Sequence, residues 1–130
     1  MFGVRINAQA ARKQTAAPLG RLLADSYMLY IKTQAFHWNV TGPQFEPLHT
    51  LFLEQCAELA SGIDEIAQRI RTLGVKTPGS FCELVSLTSI EQETGVPGAA
   101  AMVRQLQSDH MKEKMSGRKQ RKRSISCLEN

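Results

Sequence analysis

From Leu48 to Leu73 an apolar residue returns every three or four positions: Leu48, Phe52, Cys56, Leu59, Ile63, Ile66, Ile70 and Leu73. A period of that kind held over about seven turns draws one continuous stripe along a helix and cannot be laid on a strand, whose side chains alternate. The same period runs through Leu19, Leu23, Tyr27, Tyr30, Gln34 and His37, and Leu22, Leu29 and Phe36 widen it. Pro18 suits a first helical turn, so a first helix is predicted over residues 18–39. Asn39, Thr41, Gly42 and Pro43 then interrupt the pattern with turn chemistry. A second helix is predicted from Phe45, with Pro47 tolerated in its first turn, to Leu73, with Gly74 as a left-handed cap. Two long helices joined by so short a turn form an antiparallel pair of a bundle.

Downstream, Pro78 and Gly79 precede a short predicted helix from Ser80 to about Leu87. The connection is too long for a simple hairpin. A third long helix is predicted to open around Pro97 and to continue through Met102, Val103, Leu106 and His110. No useful period-two run, internal repeat, Walker loop or GxSxG motif is present, so the fold class is all-α and neither nucleotide chemistry nor serine-type hydrolysis has a motif to stand on.

Charge divides the chain. Residues 1–111 sum to −1 and residues 112–130 to +5, which together give the formal +4. The terminal run carrying Arg118, Lys119, Arg121, Lys122 and Arg123 has few apolar residues and closely spaced like charges, so a basic disordered tail is expected over 112–130. Residues 1–17 contain Arg5, Arg12 and Lys13 and no acid, and are expected to form a flexible basic arm. Residues 18–111 then make one helical domain with an ordinary apolar content, 42% over the whole chain. Cys56, Cys82 and Cys127 form no CxxC pair and fit a reducing cytoplasm; Cys56 lies on the apolar stripe as a small buried hydrophobe. No stretch is apolar enough to span a membrane.

His37 and His49 flank the segment between the two long helices. Imidazole binds first-row transition metals at neutral pH while its second nitrogen is pinned by an acceptor, so paired histidines can begin an iron, zinc or copper site, and carboxylates complete one for iron. A helical histidine is also often a packing residue. Among the acids, Asp64 shares a face of the second helix with Leu53 and Gln68, and His49 leads the same strip. Yet His49 and Asp64 lie about 22 Å apart along the axis at 1.5 Å per residue, too far to share a metal within one chain. Two chains packed antiparallel about a twofold axis bring the histidine end of one second helix to the Asp64 end of its mate. A surface ion pair with Arg69 or Arg71 is the competing role for Asp64.

The motif FHWNVTGP followed by FxxLH and then DEIAxRIRxLG, extended through PGSFCELVSLTSIEQETGVPGAAAMVRQL, resembles the Dps family, DNA-binding proteins from starved cells with a ferritin-like fold. The resemblance covers about residues 15–110. It implies an antiparallel helical bundle with a short crossover helix, assembled into a hollow dodecamer with Fe(II)-oxidising sites at twofold interfaces. His37 and His49 of one subunit and Asp64 of its neighbour are then the iron ligands, with no catalytic residue beyond them, and Trp38 matches a tryptophan kept beside the site.

Two departures stand out. Gln68 occupies a position where the family usually has glutamate, and Leu53 one where it often has an acid, so Gln68 offers iron only a neutral oxygen. The resemblance also ends near Met111, leaving the family's fourth bundle helix without a counterpart. The expected function is that of an iron-storing ferroxidase that oxidises Fe(II) with hydrogen peroxide and protects DNA. The alternatives are a noncatalytic DNA-binding or scaffold protein, contacting phosphates nonspecifically through Arg5, Arg12, Lys13, Arg118, Lys119, Arg121, Lys122 and Arg123, and a nonfunctional fragment.

Overall fold

The sequence's two apolar stripes meet along their length. In the computed structural model, which describes the backbone of residues 2–129 and the side chains of residues 8–115, helix α1 spans Phe2–Asn39 and helix α2 spans Phe45–Thr72. They run antiparallel in a fixed register: the ring of Phe36 packs on that of Phe52, His37 faces His49, and the Cys56 thiol points at the Tyr30 carbonyl. The turn between them is set by Gly42 at φ 105°, a conformation few side-chain-bearing residues adopt, and its carbonyl accepts from the Phe45 N–H as α2 begins. At the far end Leu73 caps α2 and Gly74 at φ 77° turns the chain away.

The short helix α3, Phe81–Leu87, follows. Ser80 caps it by accepting from the Glu83 N–H, while its own hydroxyl donates to the Glu83 carboxylate. Helix α4 spans Ala99–Glu129. Helix α1 packs against all three others. The described residues contain no strand, and no helix among them is long and apolar enough to cross a membrane.

The apolar core falls into two clusters. One, toward the α1–α2 turn, gathers Met28, Leu29, Phe36, Val40, Phe52, Leu59, Ile90, Met102 and Leu106. The other, toward α3, gathers Leu19, Leu23, Ala24, Ile70 and Leu84 with Ala16. Burying each large aliphatic or aromatic member contributes about 1.5–3 kcal/mol before ordering entropy is subtracted.

Polar groups tie the elements between these clusters. Lys32 donates to Asp109 at 2.7 Å and to the Glu91 carbonyl at 3.1 Å, fixing α1 to both α4 and the loop before it. Asp25 is 2% exposed, and its Oδ1 accepts from the Ser89 N–H at 2.7 Å and the Thr88 hydroxyl at 2.8 Å, anchoring the chain after α3.

Two helix boundaries differ from the expectations. Helix α1 begins at Phe2 and carries Pro18 inside it, instead of starting there. Ala8, Ala10, Ala11, Ala16 and Ala17 are strong helix formers, and the helix continues through the proline, whose side chain is buried. Residues 8–17 are therefore helical and not a flexible arm. Helix α4 likewise passes Met111, and Glu113, placed in the expected disordered tail, is hydrogen-bonded to Ser26. The side chains of Arg5, Arg118, Lys119, Arg121, Lys122, Arg123 and Cys127 lie outside the described residues. Cys56 is buried as expected and its thiol pKa is raised by that burial; Cys82 is exposed.

Candidate metal centre

His37 sits in the last turn of α1 and His49 in the second turn of α2, so the antiparallel register brings the two rings face to face, with centroids 3.9 Å apart and planes 25° from parallel. Each ring is locked by the other residue's backbone. His37 Nδ1 donates to the His49 carbonyl at 2.7 Å, and His49 Nδ1 donates to the His37 carbonyl at 2.9 Å. A carbonyl can only accept, so Nδ1 carries a proton in both rings, and in the neutral imidazole the lone pair is then on Nε2. This is the tautomer a metal-binding imidazole needs, with the second nitrogen held by an oxygen.

The His37 carbonyl belongs to the last turn of α1, where carbonyls lack intrahelical donors, so the His49 bond also satisfies that helix end. The negative end of the α1 dipole points the same way and favours a cation beside these rings. Phe45, one helical turn before His49, stacks on its ring with centroids 5.1 Å apart. The FxxLH motif contained both Phe45 and His49, but sequence reasoning gave Phe45 no role at the histidine; its four-residue spacing from His49 on one helix was the available signal.

The helices that carry the histidines also carry exposed apolar side chains. Trp38 is 65% exposed, so it does not pack into this chain's core, and Phe45, Leu53, Tyr27 and Ile31 are exposed as well. Asp64 and Gln68 lie on α2, exposed and one turn apart. They are far along the helix from His49, and among the described residues no group of three His, Cys, Asp or Glu side chains can hold a metal ion. One chain thus assembles two imidazole donors at one end of α2 and an acid with an amide near the other.

Comparison with known proteins converges on one family. The ferritin-like domain family matches residues 16–115. A DNA protection during starvation protein of Bacillus anthracis is 38% identical over 98 residues, which cover 75% of this chain and 67% of that protein. A low temperature-induced protein of Nostoc is 45% identical over 93 residues, covering 71% of this chain and 52% of that protein, so the chain spans about half the length of that relative. The crystal structure of a Dps protein from Bacillus brevis superposes with a TM-score of 0.87 at 30% identity, covering 91% of this chain and 79% of that one. A Dps protein from Vibrio cholerae, described as a member of a superfamily of ferritin-like diiron-carboxylate proteins, gives a TM-score of 0.87 at 26% identity, with 91% and 74% covered.

Proposed function

The chain belongs to the Dps family of ferritin-like proteins, and from that premise we propose that it binds Fe(II) at a site shared between two copies, oxidises it with hydrogen peroxide and holds the ferric product away from DNA. The observation that supports this reading is the reciprocal lock between His37 and His49, which holds both rings through Nδ1 and leaves both Nε2 atoms for a metal, beside the exposed Trp38 and Phe45. Asp64 of a second chain supplies the carboxylate, and Gln68 a neutral amide oxygen. The exposed Trp38, Phe45 and Leu53 give that second chain apolar surface to bury.

Iron is the substrate here. Two Fe(II) ions each yield one electron to one hydrogen peroxide, whose O–O bond breaks, and two protons complete two waters. This chain's residues contribute by holding Fe(II) on imidazole and carboxylate, by fixing each imidazole proton on Nδ1 so that Nε2 stays available, and by excluding bulk water with the surrounding aromatic rings. Because Gln68 brings no charge, the site stabilises Fe(III) less than one with a second carboxylate does. Assembly into a closed cage and residence in the cytoplasm belong to the same reading.

The test is size-exclusion chromatography with light scattering, followed by a peroxide-dependent Fe(II) oxidation assay on each fraction. The proposal expects activity in a dimeric or larger fraction and none in monomer. Equal activity per chain in monomer contradicts it.

A further inference from the structure

Phe45 is the first residue of α2, and the turn before it fixes its place: its N–H donates to the Gly42 carbonyl at 3.1 Å. Side chains of a helix lean toward its N-terminus, so the ring of His49, four residues on, is carried back over Phe45. The two rings lie with centroids 5.1 Å apart and planes 26° from parallel, while His49 also stacks on His37 at 3.9 Å. Packing within the chain does not account for Phe45. It is 41% exposed and belongs to neither core cluster.

The Phe45 ring distinguishes the two states of the imidazole it faces. A benzene ring is negative on its face and attracts a positive group held within about 6 Å of its centroid. An imidazole that gives its Nε2 lone pair to a divalent cation becomes more positive than its neutral free form, so the Phe45 face favours the metal-bound state. The backbone at this point does the opposite. Helix α2 begins at Phe45, and the positive end of its dipole disfavours a cation one turn away. The His37 carbonyl already fixes the orientation of the His49 ring through Nδ1, so what Phe45 adds is affinity.

We propose that Phe45 acts through His49 to set the affinity of the iron site, its ring face stabilising the metal-bound imidazole, an inference that rests on the reading of His37 and His49 as iron ligands. Phe45 itself touches the ligand and not the iron. A leucine in its place offers apolar surface without the negative face.

Fe(II) affinity is measured anaerobically by calorimetry, without peroxide, on the full chain at matched oligomeric state. Replacing the Phe45 ring by its pentafluoro form nearly keeps the shape and reverses the quadrupole, so binding should weaken about two- to five-fold, the size of a partly exposed cation–ring contact. Phe45→Leu should weaken binding by a similar factor, and Phe45→Trp, with the stronger face, should bind at least as tightly as the parent. A packing role predicts the reverse pattern, with the pentafluoro ring equal to the parent and the larger tryptophan worse. The pentafluoro form is nearly isosteric, so it tests the inference even where Phe45→Leu does not assemble. Parent-like affinity in the pentafluoro form overturns the inference. His37→Ala/His49→Ala separates the two levels: if that variant loses Fe(II) binding while the pentafluoro form keeps it in full, only the role of Phe45 is contradicted. If the double variant binds as the parent does, the iron site itself is contradicted and the role of Phe45 with it.

Discussion

Lys32 and Asp109, 77 positions apart in sequence, meet at 2.7 Å with both side chains less than a tenth exposed. Their contact joins the C-terminal third of α1 to α4. Removing one partner strands a buried charge, so Lys32→Met should cost about 3–5 kcal/mol in equilibrium unfolding, whereas Lys32→Met combined with Asp109→Leu should restore much of that loss. A double-mutant cycle by chemical denaturation checks this. Equal destabilisation in the single and double variants would show that the pair is not what fastens α4.

Asp25 makes a different kind of tie. Its carboxylate accepts from the Ser89 backbone N–H and from the Thr88 and Ser89 hydroxyls, all in the segment leaving α3. Asp25→Ala takes from the part-buried Ser89 amide and the Thr88 and Ser89 hydroxyls their shared acceptor, at about 1–3 kcal/mol. Hydrogen exchange should show the Ser89 amide losing protection more than amides in the middle of α2.

Glu113 supplies a pH dependence. Burial pushes its carboxyl pKa up, but the bonds from His110 and Ser26 outweigh burial and leave it below the ordinary carboxylate value. A folded-state pKa below the unfolded one adds stability that is present above the unfolded pKa and lost as pH falls through the folded one. Acid titration of stability should therefore be shallower below about pH 4.3, the ordinary glutamate value, in Glu113→Gln than in the parent. Identical acid curves would remove Glu113 from this account.

Much of the framework was legible because it is written in apolar spacing. The stripe from Leu48 to Leu73 and the turn glycines Gly42 and Gly74 placed α2 within a residue or two of its observed bounds, Phe45–Thr72. His37 and His49 stood out as a pair flanking the turn; two periodic helices joined by so short a turn must be antiparallel, and in the structure that register sets the rings opposite each other. Lys32, Asp109 and Asp25 were not found. A charged residue on a helix reads as solvated unless its partner is known, and these partners come from elements far away in sequence. The start of α1 was missed because Pro18 carries a strong stop signal, while the alanines before it carry helix propensity without periodicity. In the proposed shared site Asp64 comes from a second chain, and one chain alone holds it far along α2 from His49.

The proposed shared site makes Gln68 informative. Gln68→Glu adds a charged oxygen one turn from Asp64 and should tighten Fe(II) binding, measured by anaerobic titration. Unchanged or weaker binding would contradict the placement of this α2 face at the metal.

DNA association, if carried by charge, should reside mainly in residues 112–123, which hold seven of the sixteen Lys and Arg residues. The slope of log K against log salt is about −0.7 to −0.9 per phosphate neutralised, so deleting that segment should flatten it between roughly 50 and 200 mM salt. A slope unchanged by this deletion but abolished by removing residues 1–14, with Arg5, Arg12 and Lys13, would assign binding to the opposite terminus.

The central claim is that the His37–His49 lock is the iron-binding half of a shared oxidation site. Its most direct test is the initial rate of peroxide-dependent Fe(II) oxidation by the parent chain and by His37→Ala/His49→Ala at equal oligomeric state. The account predicts that the parent oxidises Fe(II) well above the buffer rate and that the double variant falls to it. A double variant that retains the parent's rate would contradict the assignment.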